Sequence, residues 1–232
     1  LDGRKSLVHG APWADEAIVT ARIAGVPEAA ALALVAVPLS GTRGLLRRDL
    51  RTVDGGWASE LRFDAVEIAA DQRLDVPGNA AALIAQVHDE TTLAMCAEAI
   101  GVLDRLLADT TAYARERRQF GVPIASFQVL QHRIADMYLA LEPARALARA
   151  SASWVDAPPP ERERGVSAVL VAVARACRVV GQGAVQIHGG MGMTEELAVG
   201  HFFRRATQIE QRCGSTGHHL RRVAALLDQT DA

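Results

Sequence analysis

Two short segments carry side chains and backbone suited to an anionic, ring-bearing ligand. The first is Glu116-Arg117-Arg118-Gln119-Phe120-Gly121, closed by Val122-Pro123 and followed by Phe127-Gln128. An arginine beside a backbone-permissive glycine presents a planar, permanently charged fork of donors that matches a phosphate. The competing reading is an ordinary charged helix end, because arginine also stabilises the last carbonyls of a helix. The second segment is Gln186-Ile187-His188-Gly189-Gly190-Met191-Gly192. Its glycines let a pyrophosphate or another backbone come close, and the glutamine amide both donates and accepts. It also reads as a plain helix terminator, and it is not a GxGxxG that follows a strand. Four further places hold titratable groups: the Cys213 thiol beside Arg212, the carboxylate of Glu90, that of Glu210, and His218-His219 ahead of Arg221-Arg222. A free thiol is mostly protonated near neutrality. The two glutamates read as solvated helix-surface acids, and the histidine pair reads as an anion site or as a solvated face.

Elements that could position these residues follow from the apolar pattern. Lys5–His9, Ala17–Ile23, Ala31–Pro38 and Trp57–Phe63 are short runs bounded by Gly, Pro, Asp or Ser, which is strand texture. Asp54-Gly55-Gly56, between Arg51-Thr52-Val53 and the alternating run from Trp57, is a hairpin turn. After Pro77-Gly78-Asn79 the period becomes helical. Helices are expected from Asp89 to about Arg118, from about Ser126 to Ser151 with Pro143 inside, from Glu161 to Ile187, from Glu195 to Thr207 and from Ser215 to Asp228. The stretch Val166–Val180 is apolar nearly all round and therefore central. The expected fold class is α+β, with a small antiparallel β domain over residues 1–79 followed by an all-α, four-helix-bundle-like domain over residues 80–232.

Composition limits the partners. Half of the 232 residues are apolar and 22% are charged, which excludes a disordered tail or a disulfide scaffold, and the net charge of −2 supplies no overall field for nucleic acid. Three widely spaced cysteines without a CxxC pair indicate neither a disulfide framework nor a metal site, and a reducing cytoplasm is expected. No uninterrupted apolar run reaches the roughly 18 to 20 residues of a membrane span. The chain opens at Leu1 within a strand-like pattern and without an initiator methionine, so an N-terminal part is expected to precede it.

In order and at their spacing, the two motifs resemble those of the acyl-CoA dehydrogenase family of flavoproteins, and the resemblance covers essentially the whole chain. Leu1-Asp2-Gly3-Arg4-Lys5, with Ala14-Asp15 and Val19–Arg22, is similar to that family's middle β domain. Arg117-Arg118-Gln119-Phe120-Gly121 and Gln186-Ile187-His188-Gly189-Gly190-Met191-Gly192 are similar to motifs of its C-terminal four-helix bundle. The resemblance implies a missing N-terminal helical domain and an FAD bound between subunits. Arg117 and Phe120 would contact the FAD of a neighbouring subunit, Gln128 its adenine end, Gln186, Gly189 and Gly190 its ADP portion, and Ser215 would belong to the same cofactor site. It implies α,β-desaturation of an acyl-CoA thioester, with a glutamate removing the α proton and the β hydride passing to the flavin. Electron-transfer flavoprotein is the expected acceptor. A dimer of dimers is the expected assembly, homo- or hetero-oligomeric, favoured by the shared cofactor and by the apolar Val166–Val180 stretch.

The chain departs from the family at the base. Counted without gaps from Gly192, the family's Tyr-Glu-Gly-Thr falls on Arg212-Cys213-Gly214-Ser215, so Cys213 holds the place of the glutamate. The family's second base position falls on Thr91, with Glu90 one residue away; Glu210 lies one helical turn before Cys213. Nor does Ser6-Leu7-Val8-His9-Gly10 carry the aromatic and hydroxyl residues that cover the flavin in typical members. Three readings follow: a subunit without its own base that works beside a partner keeping one, as in mixed tetramers of steroid-degrading actinobacteria; a self-sufficient dehydrogenase using Glu90 or Glu210; or a non-catalytic scaffold or binding relative.

Overall fold

Strands form where the apolar alternation has period two. β1 (Gly3–His9), β2 (Glu16–Arg22), β3 (Leu32–Pro38), β4 (Leu45–Arg51) and β5 (Trp57–Phe63) pair antiparallel, in one sheet of order β1-β5-β4 and a second of β2 with β3. These coordinates are a computed structural model that describes residues 1–27, 31–75 and 78–228; Pro77, part of the expected break, lies outside them, as do residues 229–232 of the expected helical domain. β3 alternates half-buried with buried positions, so Val35 and Val37 meet Val19, Leu61, Phe63 and Val66 in one core. β4 is a full strand where only Arg51-Thr52-Val53 was expected. It lies at the sheet edge with most side chains exposed, which removes the apolar signal. The hairpin turn is as expected: Gly55 N–H donates to the Thr52 carbonyl and Thr52 N–H to that of Gly56, both at 3.0 Å.

After β5 the chain is tied back to β3. The Leu34 N–H donates to Asp75 Oδ1 at 2.6 Å and Arg73 pairs with Oδ2 at 2.8 Å. These bonds, Arg73's first, hold the Asp75 carboxyl below the usual carboxylate range.

Five helices follow: α1 (Ala80–Glu116), α2 (Gln128–Ala150), α3 (Pro159–His188), α4 (Ala198–Arg212) and α5 (Thr216–Asp228). By its internal contacts the chain divides into two compact units, Leu1–Gln86 and Val87–Ala232. α1 begins nine residues before the expected start, because Asp89 is no cap. Its carboxylate is fully buried, and it binds Arg222 at 2.8 Å and 3.2 Å and Arg162 at 3.3 Å. α4 begins later than expected, since Glu195 is spent on Arg204 at 2.7 Å rather than opening a helix.

α3 is the central helix, with α2, α4 and α5 packed on it. Val166, Val169, Leu170, Val173, Ala176 and Val180 lie inside the core, while Ala168, Val171, Ala172 and Val179 on the outer side of the same stretch line an open groove with Leu139 of α2 and Leu220 of α5, so α3 also keeps a partly exposed apolar face. Exposed large apolar side chains also stand on α2, at Val129, Tyr138 and Leu139, and on α5, at Leu220 and Leu227. By length and composition Pro159–Met193 could cross a membrane, although no uninterrupted apolar run was found; 56% of its most apolar window is buried, as suits a bundle's central helix. α1 is tied to each of the other helices by an acid: Asp104 to Arg145 of α2, Asp89 to Arg162 of α3 and Arg222 of α5, and Glu98 to Arg205 of α4.

Candidate functional site

The two motifs come together at one end of the bundle. Arg117 N–H closes the last turn of α1 on the Tyr113 carbonyl at 2.8 Å, and the Arg117 carbonyl accepts from Ile124 N–H at 2.8 Å. Between them the chain makes a minimal hairpin, β6 (Arg118–Gln119) against β7 (Val122–Pro123). Its two turn residues, Phe120 and Gly121, have φ of +53° and +81°. Both positive values suit a two-residue hairpin loop, but a side chain in this region costs about 1 to 3 kcal/mol. Phe120 is also 91% exposed, touching Phe127 edge-on at 6.2 Å. The chain therefore holds an aromatic ring out in water on strained backbone. Arg117 and Arg118 are exposed beside it, and neither guanidinium has a partner among the described residues.

Facing this hairpin motif is the end of α3. The His188 ring stacks on Tyr113 at 4.2 Å and 23°, and its Nδ1 bonds the Ala184 carbonyl at 2.9 Å. Tyr113 stands one turn before Arg117 and His188 directly precedes Gly189, so one ring pair refers both motifs to each other. The glycines then divide. Gly189 has φ +61°, and around both Gly189 and Gly190 the space a Cβ would take is open. At Gly192 a Cβ would lie 3.1 Å from the Val185 carbonyl, so that glycine serves internal packing. Gln128 opens α2 and is exposed; Gln186, also exposed, lines a groove of about 500 Å³ with Val129, His132 and Arg133 of α2.

Cys213 and Ser215 lie elsewhere. His219 bonds both the Cys213 carbonyl and Ser167, and Ser167 stands 21 residues before His188 on α3, roughly 30 Å along the helix. The candidate residues of one chain thus fall into two groups at separate places along α3. Cys213 is 4% exposed and shares the core with Cys96 and Cys177. Burial pushes the Cys96 and Cys177 thiols up to about 12. Glu210 is nearly buried and paired with Arg178 rather than solvated. Glu90 and Thr91 are exposed on α1.

His218 is exposed, but His219 is fully buried, and Arg222 is spent on Asp89; the pair is neither a solvated face nor an anion site. In the β unit Leu7 sits in a bulge of β1 with φ +52° and is 55% exposed. Tyr113 is the residue here that the motifs alone do not single out. Tyr113 lies one helical turn from Arg117, and that spacing was the available signal.

Residues 82–227 match the acyl-CoA dehydrogenase C-terminal domain family. The chain belongs to the acyl-CoA dehydrogenase family. Among its acyl-CoA dehydrogenase relatives are IpdE2 of Mycolicibacterium smegmatis, 39% identical over 59% of this chain and 42% of that protein, and the human mitochondrial short-chain specific enzyme, 31% identical over 95% and 56%. The ChsE4-ChsE5 complex from Mycobacterium tuberculosis superposes with a TM-score of 0.87 at 30% identity, over all of this chain and 60% of that one. The chain thus spans about half the length of the acyl-CoA dehydrogenases it matches. The α+β architecture, a small antiparallel β domain ahead of an all-α bundle, is that of the family.

Proposed function

We propose that the chain is part of an FAD-dependent acyl-CoA dehydrogenase subunit that takes part in α,β-desaturation of an acyl-CoA thioester without supplying the catalytic base. The supporting observation is that Cys213, which the sequence resemblance sets at the place of the family's glutamate, is a thiol buried in the core with two others. Glu210, the nearest acid in sequence, is committed to Arg178. Family membership carries the reaction class, and the likeness to a ChsE4-ChsE5 complex favours a heteromeric assembly.

The hairpin end of the bundle fits the ADP part of FAD. Two guanidinium groups without a partner among the described residues precede a ring exposed at an energetic cost, and an open glycine backbone follows the His188 that stacks on Tyr113. Arg117 would bind a phosphate, Phe120 would cover a ring, Gln128 would meet the adenine end, and Gln186, Gly189 and Gly190 would hold the ADP portion. The roughly 30 Å of α3 between this half-site and Ser215 supports a cofactor shared between subunits, each chain serving two flavins in part. When bound, FAD supplies the hydride acceptor. The α proton needs a carboxylate whose pKa a dry site has raised; in this reading a partner subunit provides it.

We take residues 1–79 as the β domain and residues 80–232 as the bundle domain. The assembly is a dimer of dimers in the cytoplasm, using the exposed α2 face for association and electron-transfer flavoprotein as acceptor. The test is the full-length protein purified with its partner. Cys213→Ala should leave acyl-CoA oxidation by the complex unchanged, and a loss of more than tenfold would assign the base to Cys213 and defeat the reading.

A further inference from the structure

We propose that His219 is the positioning residue of the Cys213-Gly214-Ser215 corner, a buried neutral imidazole that sets the α4–α5 turn for the reaction site without touching a ligand. The inference rests on the functional reading above, which gives Cys213 the base's place and Ser215 a cofactor contact.

The geometry fixes the tautomer. A carbonyl can only accept, so the proton sits on Nε2, which donates to the Cys213 carbonyl at 2.9 Å. Nδ1 then holds a lone pair, and Ser167 Oγ–H donates to it at 3.1 Å. Both ring nitrogens are satisfied and the residue is fully buried. Gly214 has φ +103°, and a Cβ there would lie 3.1 Å from His219 Nε2, so the turn fits over the ring only as glycine. The His219 N–H donates to the Ser215 carbonyl and the His218 N–H to Ser215 Oγ, each at 3.2 Å. The ring therefore grips one end of the corner, the backbone grips the other, and Ser167 ties both to α3.

The surroundings favour the neutral ring. His218 and Arg222 of α5 and His88 of α1 all oppose a positive charge there. Asp89 of α1 is held by Arg222 and Arg162, and Glu163 of α3 faces Arg222. α3 otherwise offers Ser167, and α4 the Cys213 carbonyl. Burial first, then these neighbouring groups, hold His219 below the usual histidine range despite the carbonyl bond. An unfolded chain takes up this proton from about pH 6.5 downward while the folded one resists. The clamp is at full strength above that pH and weakens as pH falls.

The experiment compares full-length wild type, His219→Leu and His219→Gln, the last keeping one donor and one acceptor. At pH near 7.5, alkylation mapped by mass spectrometry should label Cys213 about tenfold faster in His219→Leu, as expected for one lost hydrogen bond, with Cys96 and Cys177 unlabelled and His219→Gln like wild type. Flavin retention should hold through about pH 6.5 in wild type and fall as pH drops through the lowered value of His219, and stay level in His219→Gln. Wild-type labelling in His219→Leu, simultaneous labelling of all three thiols, or an unchanged pH profile in His219→Gln would overturn the proposal. A wild type that holds no flavin at any pH would remove the functional reading, while the labelling pattern would still decide the corner.

Discussion

Asp89 offers the sharpest test of the bundle's energetics. Its carboxylate is fully buried, with Arg222 at 2.8 Å on Oδ1, and Arg222 at 3.2 Å and Arg162 at 3.3 Å on Oδ2. Asp89→Asn keeps the shape and removes the charge, leaving two guanidinium groups whose side chains are only 10% and 19% exposed. Breaking a buried pair in this way costs about 3 to 5 kcal/mol. Arg222 keeps Glu163 at 3.4 Å and Arg162 keeps the Ala157 carbonyl at 3.4 Å, which favours the lower end. At about 2 to 4 °C per kcal/mol for a chain of this size, Tm should fall by about 6 to 12 °C. The assay is thermal unfolding followed by far-UV circular dichroism at fixed flavin load. Replacing all three residues by apolar ones of similar volume should recover most of the loss, because the net worth of a buried ion network is small. A fall of less than about 2 °C in the single variant would show that the network is hydrated and the reasoning wrong.

Three further outcomes follow from the same coordinates. Arg117→Ala should weaken flavin retention by about 1.5 to 3 kcal/mol and Arg118→Ala far less, since only the first occupies the motif's phosphate-facing place; equal flavin content in the two purified variants would reject the assignment. Phe120→Gly removes a side chain at φ +53° and should raise stability by about 1 kcal/mol while lowering flavin retention; unchanged retention would show that the ring serves another purpose. The stability that Asp75 contributes, with its carboxyl held low chiefly by Arg73, should be full above about pH 4 and disappear as pH falls through its lowered value. Asp75→Asn should flatten that limb of an acid-unfolding curve, and an unaltered limb would contradict the pairing.

Much of this was legible in the residues. Gly55 and the alternation from Trp57 to Phe63 specify a hairpin locally, and the helical period of α2 and α3 follows from apolar spacing. β4 was not legible as a strand, because an edge strand need bury little and its Leu45–Arg51 run is mostly polar. Nor was the true start of α1: Asp89 looks like a cap until its two arginine partners, 73 and 133 residues away, are known. Arg117, Phe120 and Gly189 could be singled out from motif spacing. Their joining at one end of the bundle depends on the Tyr113–His188 stack, a contact between distant positions. His219 was misread because burial is a property of packing, which a doublet of histidines does not reveal.

Flavin reduction tests most directly whether this subunit works without a base of its own. Mixed anaerobically with acyl-CoA, the flavin-loaded protein without its partner should keep its oxidised flavin spectrum, and adding the partner subunit should bleach it. Bleaching by the lone wild-type protein, abolished by Glu90→Gln, Glu210→Gln or Cys213→Ala, would contradict the claim and name the base that the chain carries.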